Sequence, residues 1–324
     1  MKNIKPLLAT LLSVATIAHA TTTTKPQIIT IGIIEPIKHQ AMDEIVSGFT
    51  QVTDQYNKQQ STNKIVIKVE NAQADANLER AIIQKMALAN YDIIAPIGVD
   101  ATYMTLSQIK DKPVISIASD INEKDRTKMD PCHVAVVHDE ISNQQMLNFS
   151  QAAYPNVKKI LLVYSNSNKV FPEVANFKQI AKSKNIEVNA VMVNSLAEMD
   201  MTLKQSIKDN QMIFILKDHL IVSAIANIAK IANSKKIPLV TSDQGSVVGG
   251  GGFALGVPEK NIGIDSAKLA LDIIKGTPTC SIPIVDMTDL RVFINKKALI
   301  ISGQNPQTVI DTATKLKYKI EIVG

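Results

Sequence analysis

Apolar, mostly β-branched runs alternate with amphipathic stretches along almost the whole chain. Ile28-Ile29-Thr30-Ile31-Gly32-Ile33-Ile34 reads as a buried strand, and Ile45, Phe49, Val52 and Tyr56 follow at helical spacing. The same alternation predicts strands at 65–69, 91–97 and 113–118, with helices over 78–89 and 101–110 between them. A second series opens at Lys159-Ile160-Leu161-Leu162-Val163-Tyr164. It predicts strands at 186–193, 212–216 and 237–240, with helices at 174–181, 196–207 and 221–232. Strands joined by crossover helices form parallel sheets covered on both faces. Two such series predict an α/β protein of two doubly wound parallel-sheet lobes.

The joins suggest how the lobes connect. Val134 to Ile141 links the two series, Gln244 to Gly256 leads away from the second through Gly249-Gly250-Gly251-Gly252, and Ser281 to Asp289 follows a helix at 262–275. Three crossings make a hinge. The expected lobes are 27–138 plus 248–280 and 139–247 plus 281–324. In open α/β sheets the ligand crevice lies at the carboxyl ends of the strands, so two facing lobes enclose a ligand between those ends. Lys315-Leu316-Lys317-Tyr318-Lys319 alternates like a solvated edge strand.

Residues 1–20 read as a cleaved signal peptide. Lys2 and Lys5 precede the apolar run 7–17, and Ala18-His19-Ala20 supplies small residues for cleavage after Ala20. That run is too short to span a bilayer, and no Cys follows it, so the mature chain is expected to be periplasmic and not a lipoprotein. The 324 residues are 45% hydrophobic with a formal charge of +5, enough apolar matter for two lobes and too thinly charged for a nucleic-acid binder. Cys132 and Cys280 are the two cysteines. Each opens a strand-like phrase; they are either bridged, as an oxidising compartment allows, or two buried thiols.

Short motifs carry a likeness to a known family. Gly32-Ile33 is followed by His39-Gln40-Ala41-Met42-Asp43, where the family writes His-Pro-Ala-Leu-Asp, and Asn71-Ala72-Gln73-Ala74-Asp75 matches Asn-Ala-Gln-Gly-Asp. Tyr154-Pro155-Asn156-Val157-Lys158-Lys159-Ile160, Asp218, Ser242-Asp243, Leu255-Gly256-Val257, Gly263 and Ile274-Lys275-Gly276-Thr277-Pro278 fall at the family's spacing. From about Ile28 to Leu299 the chain resembles the ABC-importer substrate-binding proteins of the tryptophan/tyrosine-binding type, within the type 1 periplasmic-binding-protein superfamily. The resemblance implies a monomer that closes on a small solute, often an amino acid, and docks on a permease whose ATPase is another chain. The alternative reading is a sensing module that passes the same closure to a membrane receptor. Departures are visible: Val99 stands where the family has Thr, Ser165-Asn166-Ser167-Asn168 shortens Glu-x-Asn-Ser, and Pro258-Glu259-Lys260 replaces a Tyr pair.

Strand-to-helix loops present free N–H groups and a positive dipole end, which favour anions. Glu35 to His39, Gly98 to Thr102, Ser165 to Asn168 and Lys217 to His219 are such loops, and Ser119-Asp120 and Ser242-Asp243 end further strands. The expected ligand set is Glu35, His39, Gly98, Val99, Asp100, Ala101, Ser119, Asp120, Tyr164, Ser165, Asn166, Ser167, Asp218 and Asp243. Within it Asp120, Asp218 and Asp243 are candidates for a ligand ammonium, while backbone N–H groups near Gly98 to Ala101, with Ser165 or Ser167, take a carboxylate. Each Asp is equally a helix cap. His133 and His138 point to opposite faces of one strand, and no His-x-x-x-His or paired-Cys spacing occurs, so no metal or other cofactor is expected. Gly-x-Ser-x-Gly is absent and no Ser/His/Asp set falls at the loops, which argues against an exported hydrolase and for a protein with no catalytic residues.

Overall fold

The computed structural model describes residues 27–60, 63–130, 132–139 and 141–324; the expected signal peptide lies outside them. The first series forms β1 (Gln27–Glu35), α1 (Gln40–Gln59), β2 (Asn63–Asn71), α2 (Ala76–Leu88), β3 (Ile93–Pro96), α3 (Val99–Gln108), β4 (Val114–Ser119), α4 (Glu123–Lys128) and β5 (Val134–His138). β1 is buried along both faces for its last seven residues, which is why it reads as a continuous apolar run.

The second series runs α5 (Asn143–Ala153), β6 (Lys159–Ser165), α6 (Val170–Ser183), β7 (Glu187–Val193), α7 (Leu196–Ser206), β8 (Met212–Ile215), α8 (His219–Ser223), α9 (Ile225–Lys235), β9 (Leu239–Thr241), α10 (Gln244–Val248) and β10 (Phe253–Gly256). The helix expected over 221–232 is thus two, parted at Ala224. The chain then forms α11 (Glu259–Ile274), β11 (Val285–Asp286), β12 (Arg291–Ile294), α12 (Lys296–Ile301), α13 (Pro306–Lys315) and β13 (Lys319–Ile322). The alternating C-terminal phrase splits between the end of α13 and β13, which is indeed an edge strand.

Two sheets result, ordered β11-β5-β4-β3-β1-β2 and β13-β12-β10-β9-β8-β6-β7. All neighbouring pairs are parallel except β10 with β12. The chain passes between the lobes after β5, after β10 and after β11. Two expected boundaries therefore move. Phe253–Gly256 pairs with β9 and β12 in the second lobe rather than opening a return to the first at residue 248, and Val285–Asp286 pairs with β5 in the first lobe rather than leaving it at 281. The tetraglycine joins α10 to β10 inside the second lobe.

α11 returns to the first lobe and packs on α1. The two helices meet backbone to backbone: a Cβ on Gly48 would overlap the carbonyl oxygen of Lys260, and one on Gly263 that of Ile45. This crossing fixes the amino end of α11 beside the amino end of α1. Cys132 and Cys280 are bridged, both exposed, tying the turn before β5 to the short 3-10 turn Thr279–Ser281 before β11. The alternative of two buried thiols is thereby set aside. The buried Arg126 donates to the carbonyls of Thr279 and Ile282 at 2.7 and 2.9 Å, holding the same return segment.

Candidate functional site

Each sheet reverses its strand order once, between β1 and β3 in the first lobe and between β6 and β8 in the second. The loops leaving these four strands face one another. A chamber of about 600 Å³, open mouth included, lies between them, and His39, Gly98, Lys169, Lys217 and His219 reach it from those loops. Its floor is aliphatic, built from Met42 and Ile45 of α1, Val222 of α8, Val257, and Ile262 of α11. A broader outer chamber of about 1780 Å³, also counting its mouth, shares Asp139, Lys169 and Lys217 with the first. Those three residues form a neck.

The lobes come into contact along the inner chamber. A Cβ on Gly98 would stand 2.9 Å from Cε1 of His219, and one on Gly245 would stand 2.9 Å from Cε1 of His39. His39 caps α1: its Nδ1 accepts the Ala41 N–H at 3.2 Å, so the ring proton sits on Nε2. That Nε2 is buried and has no hydrogen-bond partner. Glu259, at the first turn of α11, is 4% exposed. Its Oε1 accepts the Gln244 N–H from the opposite lobe at 2.8 Å, while Oε2 is buried without a partner. Burial and the nearby Asp243 carboxyl push Glu259 up to about 8.

Two of the remaining charges pair with each other. Lys217 Nζ lies 2.5 Å from Asp139 Oδ2 and 2.8 Å from the Asp139 carbonyl. Burial alone would raise Asp139, but the Lys217 ammonium outweighs it and holds the carboxyl below its ordinary value. Burial likewise opposes the Lys217 charge, and Asp139 more than restores it. Burial, then Lys169 and His39, lower His219 to about 4, so its imidazole is neutral where it meets Gly98.

The expected ligand residues divide three ways. His39, Gly98 and Asp243 line the inner chamber; Val99, Asp100 and Asp120 line the outer one. Glu35, Ala101, Ser119, Tyr164, Ser165, Asn166, Ser167 and Asp218 line neither. Their bonds explain several of these absences. Glu35 accepts from Asn71 at 2.9 Å, Ser119 accepts from Ser116 at 2.7 Å, and Tyr164 packs edge-on against Phe171. Asp218 is corrected most sharply. Its carboxylate accepts the N–H groups of Ser165, Leu220 and Ile221 at 2.6, 3.2 and 3.4 Å, so it serves as a buried helix cap, the other role its position allowed, and faces neither chamber. The Ser165 N–H, expected to take a carboxylate, is consumed by the same bond. Asp243 caps α10 through Ser246 N–H at 2.7 Å yet keeps a face on the chamber.

Sequence reasoning missed Asp139 and Glu259 as lining residues and left Lys169, Lys217 and His219 outside the ligand set. The last three belong to or adjoin loops already singled out. Glu259 carried one legible sign, an acid at the start of a helix where the resemblance expects tyrosine. Among the described residues no cluster of three His, Cys, Asp or Glu could hold a metal, and no helix is long and apolar enough to cross a membrane.

Residues 30–316 match the family model described as ABC transporter substrate binding protein. An uncharacterized protein of Rickettsia prowazekii is 36% identical over 270 residues, covering 83% of this chain and 84% of that protein. The tyrosine-binding protein of Clostridioides difficile is 26% identical over 276 residues, covering 83% and 79%. Among solved structures, an ABC domain from Streptococcus pneumoniae in complex with L-Trp superposes with a TM-score of 0.79 at 22% identity, covering 91% of this chain and 100% of that one. At that identity the likeness speaks for the fold.

Proposed function

Because the chain belongs to the ABC transporter substrate-binding protein family, we propose that it is an exported binding protein. It closes its interlobe cleft on an amino acid or similar small polar metabolite and presents the closed form to a membrane permease driven by a separate ATPase. One observation carries the reading: the loops after β1, β3, β6 and β8, two from each lobe, line a single chamber. A ligand there contacts both lobes, and only contacts that differ between open and closed states can shift a hinge equilibrium. The Gly98–His219 and Gly245–His39 approaches exist only while the lobes are together, so the chamber is a product of closure.

The relatives support a small solute, since one is named for tyrosine and a structural neighbour holds L-Trp. The leader-like residues 1–20 and the family support periplasmic residence and delivery to a permease. The test is a thermal-shift screen of the mature chain, first unfolded and refolded to strip carried-over solute, against amino acids, short peptides and small anions. A tight binder stabilises the folded state by mass action, so a clear rise in Tm for a few small solutes is expected. A flat response to the whole panel contradicts the proposal.

A further inference from the structure

Two buried polar atoms of the inner chamber lack partners, Nε2 of His39 and Oε2 of Glu259. A buried group left unbonded is costly, and such groups in a cavity mark what an occupant must supply. They are close neighbours through one turn of the second lobe: Gly245 packs on the His39 ring, and the adjacent Gln244 N–H binds the other oxygen of Glu259. One is a donor and the other a carboxyl oxygen, so an occupant needs an acceptor for His39 and, with the carboxyl ionised, a cationic donor for Glu259. An α-amino acid headgroup carries both on one carbon.

The rest of the chamber speaks to the side chain. Among the described residues no phenyl, phenol or indole ring lines it; its apolar surface comes mainly from Met42, Ile45, Ile97, Val222, Val257 and Ile262. Tyr103 faces only the outer chamber, and Tyr164 and Phe171 are engaged with each other. An aromatic ligand would find only the His39 and His219 imidazoles as ring partners, whereas a branched or thioether chain meets surfaces of its own kind.

Resting on the cleft reading above, we infer that the substrate is an aliphatic amino acid, its carboxylate on His39 Nε2, its ammonium on Glu259 Oε2 and its side chain on the aliphatic floor. Glu259 is then the residue that demands an amine.

Calorimetric titration of the stripped mature chain tests this with L-leucine, L-isoleucine, L-valine, L-methionine, L-tyrosine, L-tryptophan and 4-methylpentanoate, which is leucine without its amine. At least one aliphatic amino acid should bind about tenfold or more tighter than tyrosine and tryptophan, a discrimination such pockets commonly reach. If leucine is that ligand, 4-methylpentanoate should bind about 100-fold more weakly; the Glu259→Gln variant should weaken whichever aliphatic ligand binds by a similar factor. Tyrosine or tryptophan binding tighter than every aliphatic member overturns the inference and leaves the cleft reading standing. So does tight binding of 4-methylpentanoate, which needs no mutant and is immune to any misfolding of Glu259→Gln. Failure of all seven, with another small solute raising Tm, also overturns the inference alone; failure of the entire screen sinks the cleft reading with it.

Discussion

The two walls of the cleft differ in how their polar groups are spent. On the second-lobe side the acids are spent on local structure: Asp218, behind the wall, serves three backbone N–H groups, Asp243 caps α10, and Lys217 is held by Asp139 at the crossing. On the first-lobe wall His39 and Glu259 each keep one buried atom without a partner amid aliphatic side chains. An acid at a strand end is therefore not a ligand by position alone. What separates a wall-builder from a ligand-holder is the bond left over once local structure has been satisfied.

The comparison breaks most readily at Asp218. Replacing it by Ala strands three N–H donors in a buried setting, and the loss should be about 2–4 kcal/mol of unfolding free energy by urea titration. Ligand affinity should change little. Collapse of affinity at unchanged stability would return Asp218 to the ligand set and erase the contrast.

Glu259 should show the opposite pattern, and pH sharpens it. Its folded value near 8 lies above the 4.5 of an ordinary glutamate, so between those values the folded state holds a proton that the unfolded state has lost. The stability of the empty protein should thus be highest with respect to this group below pH 4.5 and fall, by a few kcal/mol, as pH rises to about 8. Asp139 acts in the other direction in a separate window, its contribution vanishing only as pH drops through its lowered value. Asp243 and Lys217 face Glu259 and set its response, so Glu259→Gln should flatten the slope above pH 4.5 while they remain. An amine ligand that needs the ionised carboxylate should bind up to about tenfold more tightly per pH unit on approaching pH 8. Wild type and Glu259→Gln with superimposable stability profiles would remove this acid from its special place.

The smallest effect belongs to Lys169, half-buried at the neck between the chambers. Lys169→Met should weaken an anionic ligand group by only about threefold, and added salt should shrink the difference, as befits a partly solvated charge. A loss as large as that of Glu259→Gln would move the main recognition charge to the second-lobe wall.

Much of this architecture was legible because it rests on local pattern. β-branched runs and helical spacing located most of the strands and helices of both series, and parallel crossover logic pointed to the four loops that meet at the chamber. Failures came where distant pairing decides. Phe253-Ala254-Leu255-Gly256 has no local mark of its lobe; its hydrogen bonds to β9 and β12 settle that. Asp218 and Glu259 failed for a related reason. Both are acids at helix starts, and a sequence does not reveal that Ser165 arrives to saturate one while only Gln244 reaches the other. The glycine pair that seats α11 on α1, and so brings Glu259 to the cleft, is silent until the helices are seen to cross.

A crystal structure of the mature protein grown with L-leucine, or with whichever aliphatic amino acid titrates tightest, bears most directly on the central claim. The account predicts closed lobes with the amino nitrogen within hydrogen-bonding distance of Glu259 Oε2 and a carboxylate oxygen on His39 Nε2. A ligand seated in the outer chamber on Asp100 and Asp120, or bound with Glu259 untouched, would contradict it.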